Sequence, residues 1–150
     1  MREFSRSLPM ALLQSREAVM RQFRPALRRH GLTEQQWRIL RALTSVEEIE
    51  TSGLARIAFL LGPSLSRILR DLETRELIIR RTADEDLRRS FVSLSSKGSK
   101  LIDAVAPTSE AIYAAITHRY GERQLAALHE MLRTLEECLH EMEGPQGQNG

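Results

Sequence analysis

Apolar residues at three- and four-residue steps predict six helices along this 150-residue chain, with two short strands between the fourth and the fifth. The first helix covers residues 7–30: Ser7 caps it, Pro9 fits its first turn, and Leu12, Ser15, Val19, Phe23 and Leu27 form its apolar-biased stripe. Pro25 is expected to kink it, and Gly31 to end it. The second helix has the clearest start, a Thr33–Gln36 capping box with Leu32 and Trp37 as a hydrophobic staple, and runs to about Leu43.

Residues 44–50 are polar and acidic and predict a loop or a short edge strand. A short third helix over 52–59 should turn Leu54, Ile57 and Ala58 inward; Leu60, Leu61 and Gly62 make a turn. Pro63 opens a fourth helix with Leu65, Ile68, Leu69 and Leu72 facing the core. Strands over 77–81 and 88–94 flank a charged turn. Ser95 starts a long helix reaching about His118, with a bend expected at Pro107. Gly121 separates it from a last helix over 122–142, striped by Leu125, Leu128, Met131 or Leu132, Leu135 and Leu139. Residues 143–150, rich in Gly and Gln, read as a disordered tail.

The order is four helices, a hairpin and two long helices, so the expected class is mostly α with a small β-hairpin wing. The third helix, turn and fourth helix have the length of a helix-turn-helix. Residues 33–94 then form a winged helix-turn-helix, and 7–30 and 95–142 a helical dimerisation region, because the outer stripes need a partner surface that a second chain provides. Folding back within one chain is the alternative.

With the apolar stripe inward, the fourth helix presents Ser64, Ser66, Arg67, Arg70, Asp71 and Thr74 outward. The N-terminal end of such a helix enters the major groove. Arg67 suits a two-bond contact to guanine and Arg70 a phosphate; both could instead pair with Asp71 or Glu73 at helical spacing. On the hairpin, Arg80, Arg81, Arg88 and Arg89 suit phosphate or minor-groove contact. Asp86 is placed to pair with Arg88 and orient it.

Charge distribution adds modest support. The net charge is only +2, but residues 1–41 carry +6, residues 42–100 +1 and residues 101–150 −5. A basic front and an acidic tail suit a protein that turns one side to a polyanion. Cys138 is the only cysteine, so neither an intrachain disulfide nor a cysteine zinc cluster can form, and it is read as a packing residue. The four histidines lack metal-site grouping, and no apolar run is long enough to span a bilayer. No phosphate loop, activated nucleophile or pair of catalytic carboxylates is present, so no enzyme, no cofactor and no metal are expected. The N-terminal apolar stretch is short and followed at once by Arg16 and Glu17, so no signal peptide is expected and the protein should be cytoplasmic.

The runs LARIAFLLGPSLSRILRDLETRELIIR and DEDLRRSFVSLSSKG resemble the winged helix of the MarR family of regulators. Asp86-Leu87-Arg88 matches that family's wing signature, and Leu94 to Gly98 its entry into the dimerisation helix. The run SLPMALLQSREAVMRQFRPALRRHGLTEQQWRILRAL resembles the branch that regulates homoprotocatechuate degradation operons.

The resemblance implies a homodimer on a pseudo-palindromic double-stranded DNA operator, usually repressing, with DNA affinity lowered by a small aromatic acid. Arg16, Trp37 and Arg38 are the candidate effector residues: an arginine–carboxylate pair with aromatic contact suits a phenylacetate-like acid. Arg16 could equally form a structural salt bridge, and Trp37 ordinary core. The alternative function is a winged-helix protein-interaction module without DNA, which the acidic residues 47–50 and the acidic tail would suit. Two residues depart from the family: Glu76 stands where Gly is usual, and Ser90 where the returning strand usually turns an apolar residue inward.

Overall fold

The computed structural model describes residues 3–144, so most of the tail expected to be disordered, residues 145–150, lies outside the described residues. The chain divides into two compact units, Met1–Ser109 and Glu110–Gly150.

In the first unit, a 3-10 turn at Phe4–Arg6 precedes α1 (Leu8–Arg29). Ser7 caps α1 by accepting from the Met10 amide, and Pro25 is carried inside the continuous helix. Gly31, at φ +69°, reverses the chain, while Leu32 N–H donates to the Leu27 carbonyl at 2.9 Å. That bond closes the helix end through a left-handed residue, which glycine adopts without steric cost. Then comes α2 (Glu34–Leu43), whose Thr33–Gln36 capping box forms in both directions.

The acidic segment does form an edge strand, β1 (Ile49–Glu50), leading into α3 (Thr51–Ala58) and α4 (Gly62–Thr74). Leu54 and Ala58 are buried as expected, but Ile57 is 50% exposed, because the short helix turns only one narrow stripe inward. The strands β2 (Ile78–Thr82) and β3 (Ser90–Leu94) complete an antiparallel sheet in the order β1-β3-β2. The wing is thus three-stranded, and Arg88 and Arg89 belong to the loop before β3.

One core joins these elements: Phe23 and Leu27 of α1, Leu32, Ile39, Leu40 and Leu43 around α2, Leu54, Leu65, Leu69 and Leu72 of the helix-turn-helix, Val92 of β3, and Ile102 and Val105 of the next helix. Burying each of the larger side chains stabilises the unit by about 1.5–3 kcal/mol. The α1 stripe reaches this core only at its C-terminal end, since Leu12 and Val19 are exposed.

α5 (Ser96–Tyr120) starts in the first unit and runs on without a break through Pro107. Its start is fixed by Ser95, whose hydroxyl donates to the Glu76 carbonyl at 2.6 Å and accepts from the Gly98 amide at 2.9 Å. A Cβ on Gly98 would lie 2.1 Å from the Leu77 carbonyl oxygen, so the helix packs on backbone where only glycine fits.

The second unit holds the remainder of α5 and α6 (Glu122–Glu143), joined at Gly121, φ +106°. α6 buries no residue; Met131, Leu132, Leu139 and Met142 of its apolar stripe stay exposed, as does Cys138, expected to pack. Among the described residues no helix is long and apolar enough to cross a membrane, and no His, Cys, Asp and Glu group is placed to hold a metal.

Candidate nucleic-acid interface

The outward face of α4 is assembled by burying Leu65, Leu69 and Leu72, which leaves Ser66, Arg67, Arg70 and Thr74 exposed and Ser64 half-buried. Neither Arg67 nor Arg70 forms an ion pair with Asp71 or Glu73. Asp71 is engaged elsewhere: it accepts from Gln36 Nε2 at 2.6 Å and lies 4.0 Å from Arg75. Gln36 is buried and already half of the capping box, so Asp71 ties α2 to α4 and leaves both arginines available. Thr74 is less so, since its hydroxyl donates to the Arg70 carbonyl at 2.9 Å. A recess of about 510 Å³, lined by Gln35, Leu60, Ser64, Arg67 and Asp71 among others, adjoins this face.

The four wing arginines separate by strand alternation. The register pairs Arg81 with Phe91 and Phe91 with Glu50, so these three and, two residues away, Arg89 and Glu48 share one face. There Arg81 makes a two-bond pair with Glu48 at 2.8 and 2.6 Å, and Arg89 one with Glu50 at 2.9 and 3.2 Å. Both guanidiniums lie against the Phe91 ring, 4.4 and 5.4 Å from its centre. The hydrogen bond from Arg81 holds the Glu48 carboxyl below its ordinary range, and Arg89 does the same to Glu50.

Arg80 alternates to the other face with Val92, its Nη2 3.4 Å from the Ser90 hydroxyl, which is 3.5 Å from Thr51 Oγ1. Ser90 therefore takes a polar place beside Arg80 while Val92 supplies the buried contact.

Arg88 projects from the loop with its side chain 92% exposed. Asp86 accepts from its backbone N–H at 3.0 Å and from its Nε at 3.1 Å. These bonds, the backbone one first, hold the Asp86 carboxyl below its ordinary range. The expected Asp86–Arg88 pair is thus formed. Ala83 N–H closes the loop on the Arg89 carbonyl at 2.9 Å.

The candidate effector residues lie in an ion network between α1 and α2. Arg16 Nη2 is 2.5 Å from Glu34 and Nη1 3.7 Å from Glu17; Arg24 bonds both carboxylates. Arg38 donates to the Ala58 carbonyl at 2.8 Å, at the end of α3, and lies 3.8 Å from Glu34. Burial pushes the Glu34 carboxyl up, but hydrogen bonds from Arg24 and Arg16 outweigh it and keep it ionised below its ordinary range. Arg16 and Arg38 therefore meet at Glu34, and half-buried Trp37 has the Arg41 guanidinium 6.0 Å from its ring centre. Glu34, Arg24 and Phe91 had no role assigned from the sequence, and Glu48 and Glu50 counted there only as part of the acidic segment 47–50. The two-turn spacing of Glu17 and Arg24 was a signal for one pair; the partners on other elements needed the tertiary fold.

Residues 30–89 match the model of the MarR family. The chain is 37% identical over 129 residues to the HTH-type transcriptional regulator FarR of Neisseria gonorrhoeae, covering 86% of this chain and 88% of that protein. The chain belongs to the MarR family. It is thus a MarR-family transcription regulator, not an enzyme, built as a winged helix-turn-helix. It is also 38% identical over 126 residues to the homoprotocatechuate degradative operon repressor of Escherichia coli, covering 84% and 85% of the two chains. Among solved structures, NadR in complex with 4-hydroxyphenylacetate superposes with a TM-score of 0.75 at 36% identity, covering 90% of this MarR-family chain and 96% of the other.

Proposed function

We propose that this regulator is a cytoplasmic homodimer that represses an aromatic-acid catabolic operon and leaves its operator when a small phenolic or aromatic carboxylate binds. The observation that carries the DNA-binding part is the pair of unpaired guanidiniums, Arg67 and Arg70, on the outward face of α4, with Arg88 exposed on the wing.

In this reading residues 33–94 contact double-stranded DNA. Arg67 reads a guanine edge, and Ser64, Ser66, Arg70 and Thr74 hold the flanking bases and phosphates. Arg88, aimed by Asp86, enters the minor groove. Arg80 braces the wing from below. Arg81 and Arg89 reach phosphate by exchanging Glu48 and Glu50 for it. Residues 7–30 and 95–142 pair two chains, which places two winged units on a pseudo-palindromic operator. The exposed apolar residues of α1 and α6 favour this, because one chain alone leaves them in water.

Effector binding is assigned to Arg16, Trp37 and Arg38. A ligand carboxylate would compete with Glu34 for these arginines while an aromatic ring packs on Trp37. The repressor relative and the 4-hydroxyphenylacetate bound to NadR support the ligand class.

The test is a titration against DNA from the chain's own upstream region. Binding should weaken steeply between about 50 and 200 mM salt as counterions are released, and 4-hydroxyphenylacetate should weaken it further. Arg67→Ala and Arg88→Ala should each lower affinity about tenfold or more. Binding that is insensitive to salt, or unchanged in both variants, contradicts the reading.

A further inference from the structure

We propose that Leu61 reads thymine in the operator by packing its side chain on the C5-methyl group in the major groove. The inference rests on the DNA-binding reading above and adds a base-reading residue to it.

Leu61 is the N-cap of α4, at φ −69° and ψ 148°, and its side chain makes no capping hydrogen bond. Ser, Thr, Asp or Asn at this position would satisfy one of the open amides of the helix start. Leucine forgoes that bond, and it gains no burial in return: it is 79% exposed. Its neighbour Leu60 is half-buried and lines the recess beside Ser64 and Arg67. A large apolar side chain is therefore held in water where a polar one would stabilise the free protein. Local rules are broken in this way where function has the stronger claim.

The position specifies what covers it. The N-terminal residues of the recognition helix approach base edges most closely. Among the groups that the bases present in the major groove, the apolar one is the thymine methyl; the others are hydrogen-bond donors and acceptors. Close approach is open here, because a Cβ built on the adjacent Gly62 would meet nothing within 4 Å, and Pro63 has no N–H to leave unsatisfied. Leu61 at the groove floor and Arg67 one to two turns further along α4 would then read an apolar and a polar base edge from one helix.

The experiment selects duplexes from a random pool with the full-length protein, then replaces each recurring thymine by deoxyuridine, which pairs identically but lacks the methyl. At one thymine per half-site the replacement should weaken binding about fourfold, the equivalent of about 0.8 kcal/mol for one buried methyl-sized group. Leu61→Ser and Leu61→Ala should bind more weakly to the thymine duplex and lose the response to deoxyuridine. Leu61→Ser should also raise the melting temperature of the free protein, since it gains the cap. A protein indifferent to the methyl at every thymine, or variants that keep the full response, would overturn the inference alone. Failure to enrich any duplex would instead overturn the DNA-binding reading on which it stands.

Discussion

Glu76 occupies the left-handed backbone region at φ 61°, the conformation that its departure from the family's glycine brought into question. Its neighbours require the turn: Leu77 N–H donates to the Leu72 carbonyl at 2.9 Å to close α4, and the Glu76 carbonyl accepts from Ser95. Its side chain offers little compensation, since the nearest cation, Lys97 at 3.6 Å, is also exposed. Glu76→Gly should therefore stabilise the fold by about 0.5–1 kcal/mol, after the larger freedom of glycine in the unfolded chain is set against the relieved strain. Thermal unfolding would register a melting temperature about 2 °C higher; an unchanged or lower value would show that the strain at Glu76 does not exceed the entropy cost of glycine. Gly98 predicts the opposite sign. Gly98→Ala drives a methyl into the Leu77 carbonyl and should cost about 1–3 kcal/mol, measured as a lower urea midpoint. Glu76 and Gly98 both lie at the join between α4, β2 and α5, which positions the wing.

At the scale of elements, β1 is held to the wing by side chains as much as by its two residues of pairing. Glu48 and Glu50 lock Arg81 and Arg89 across Phe91 on the outer face of the sheet. Because both carboxyls titrate lower in the fold than in the unfolded chain, the stability they add is present above their unfolded values. It is lost as pH falls through the lowered folded values. The wing should therefore loosen in acid before the leucine core does, seen as faster amide exchange at residues 48–50 and 90–92. In Glu48→Gln/Glu50→Gln the acid dependence of that exchange should disappear, and if it persists other carboxylates hold the strand. The hairpin was readable from the sequence, and residues 44–50 were open to a loop or a short edge strand; the pairing of that strand with β3 and the sorting of the arginines were not readable. Alternation assigns Arg80 and Arg81 to opposite faces only once the register with β3 is known.

For the whole molecule, what remains uncovered is as informative as what is buried. Leu8, Leu12, Leu13 and Val19 of α1 and Met131, Leu132, Leu139 and Met142 of α6 are exposed, and apolar side chains grouped in stripes of this kind mark interaction surfaces. The proposed homodimer predicts a solution mass of twice the 17.1 kDa chain. Leu132→Glu/Leu139→Glu should shift the mass toward one chain and weaken operator binding, because each half-site then binds without its partner. A wild-type protein that sediments as a monomer at micromolar concentration would exclude this assembly.

The sequence by itself determined the helical periods, the Ser7 and Thr33 caps, the helix-turn-helix and the family, because these depend on residues three or four apart and on local backbone preference. The family resemblance also singled out Glu76 as standing where Gly is usual, but its left-handed backbone was seen only in the structure. Only the tertiary structure decided which arginines are free. Arg67, Arg70, Arg81 and Arg89 are alike in sequence, each with acids at pairing distance along the chain. Asp71 is drawn away by Gln36 across 35 residues, while Glu48 and Glu50 reach their arginines across 33 and 39. A long flexible side chain takes the partner that the fold brings nearest, and that choice is not written in spacing along the chain.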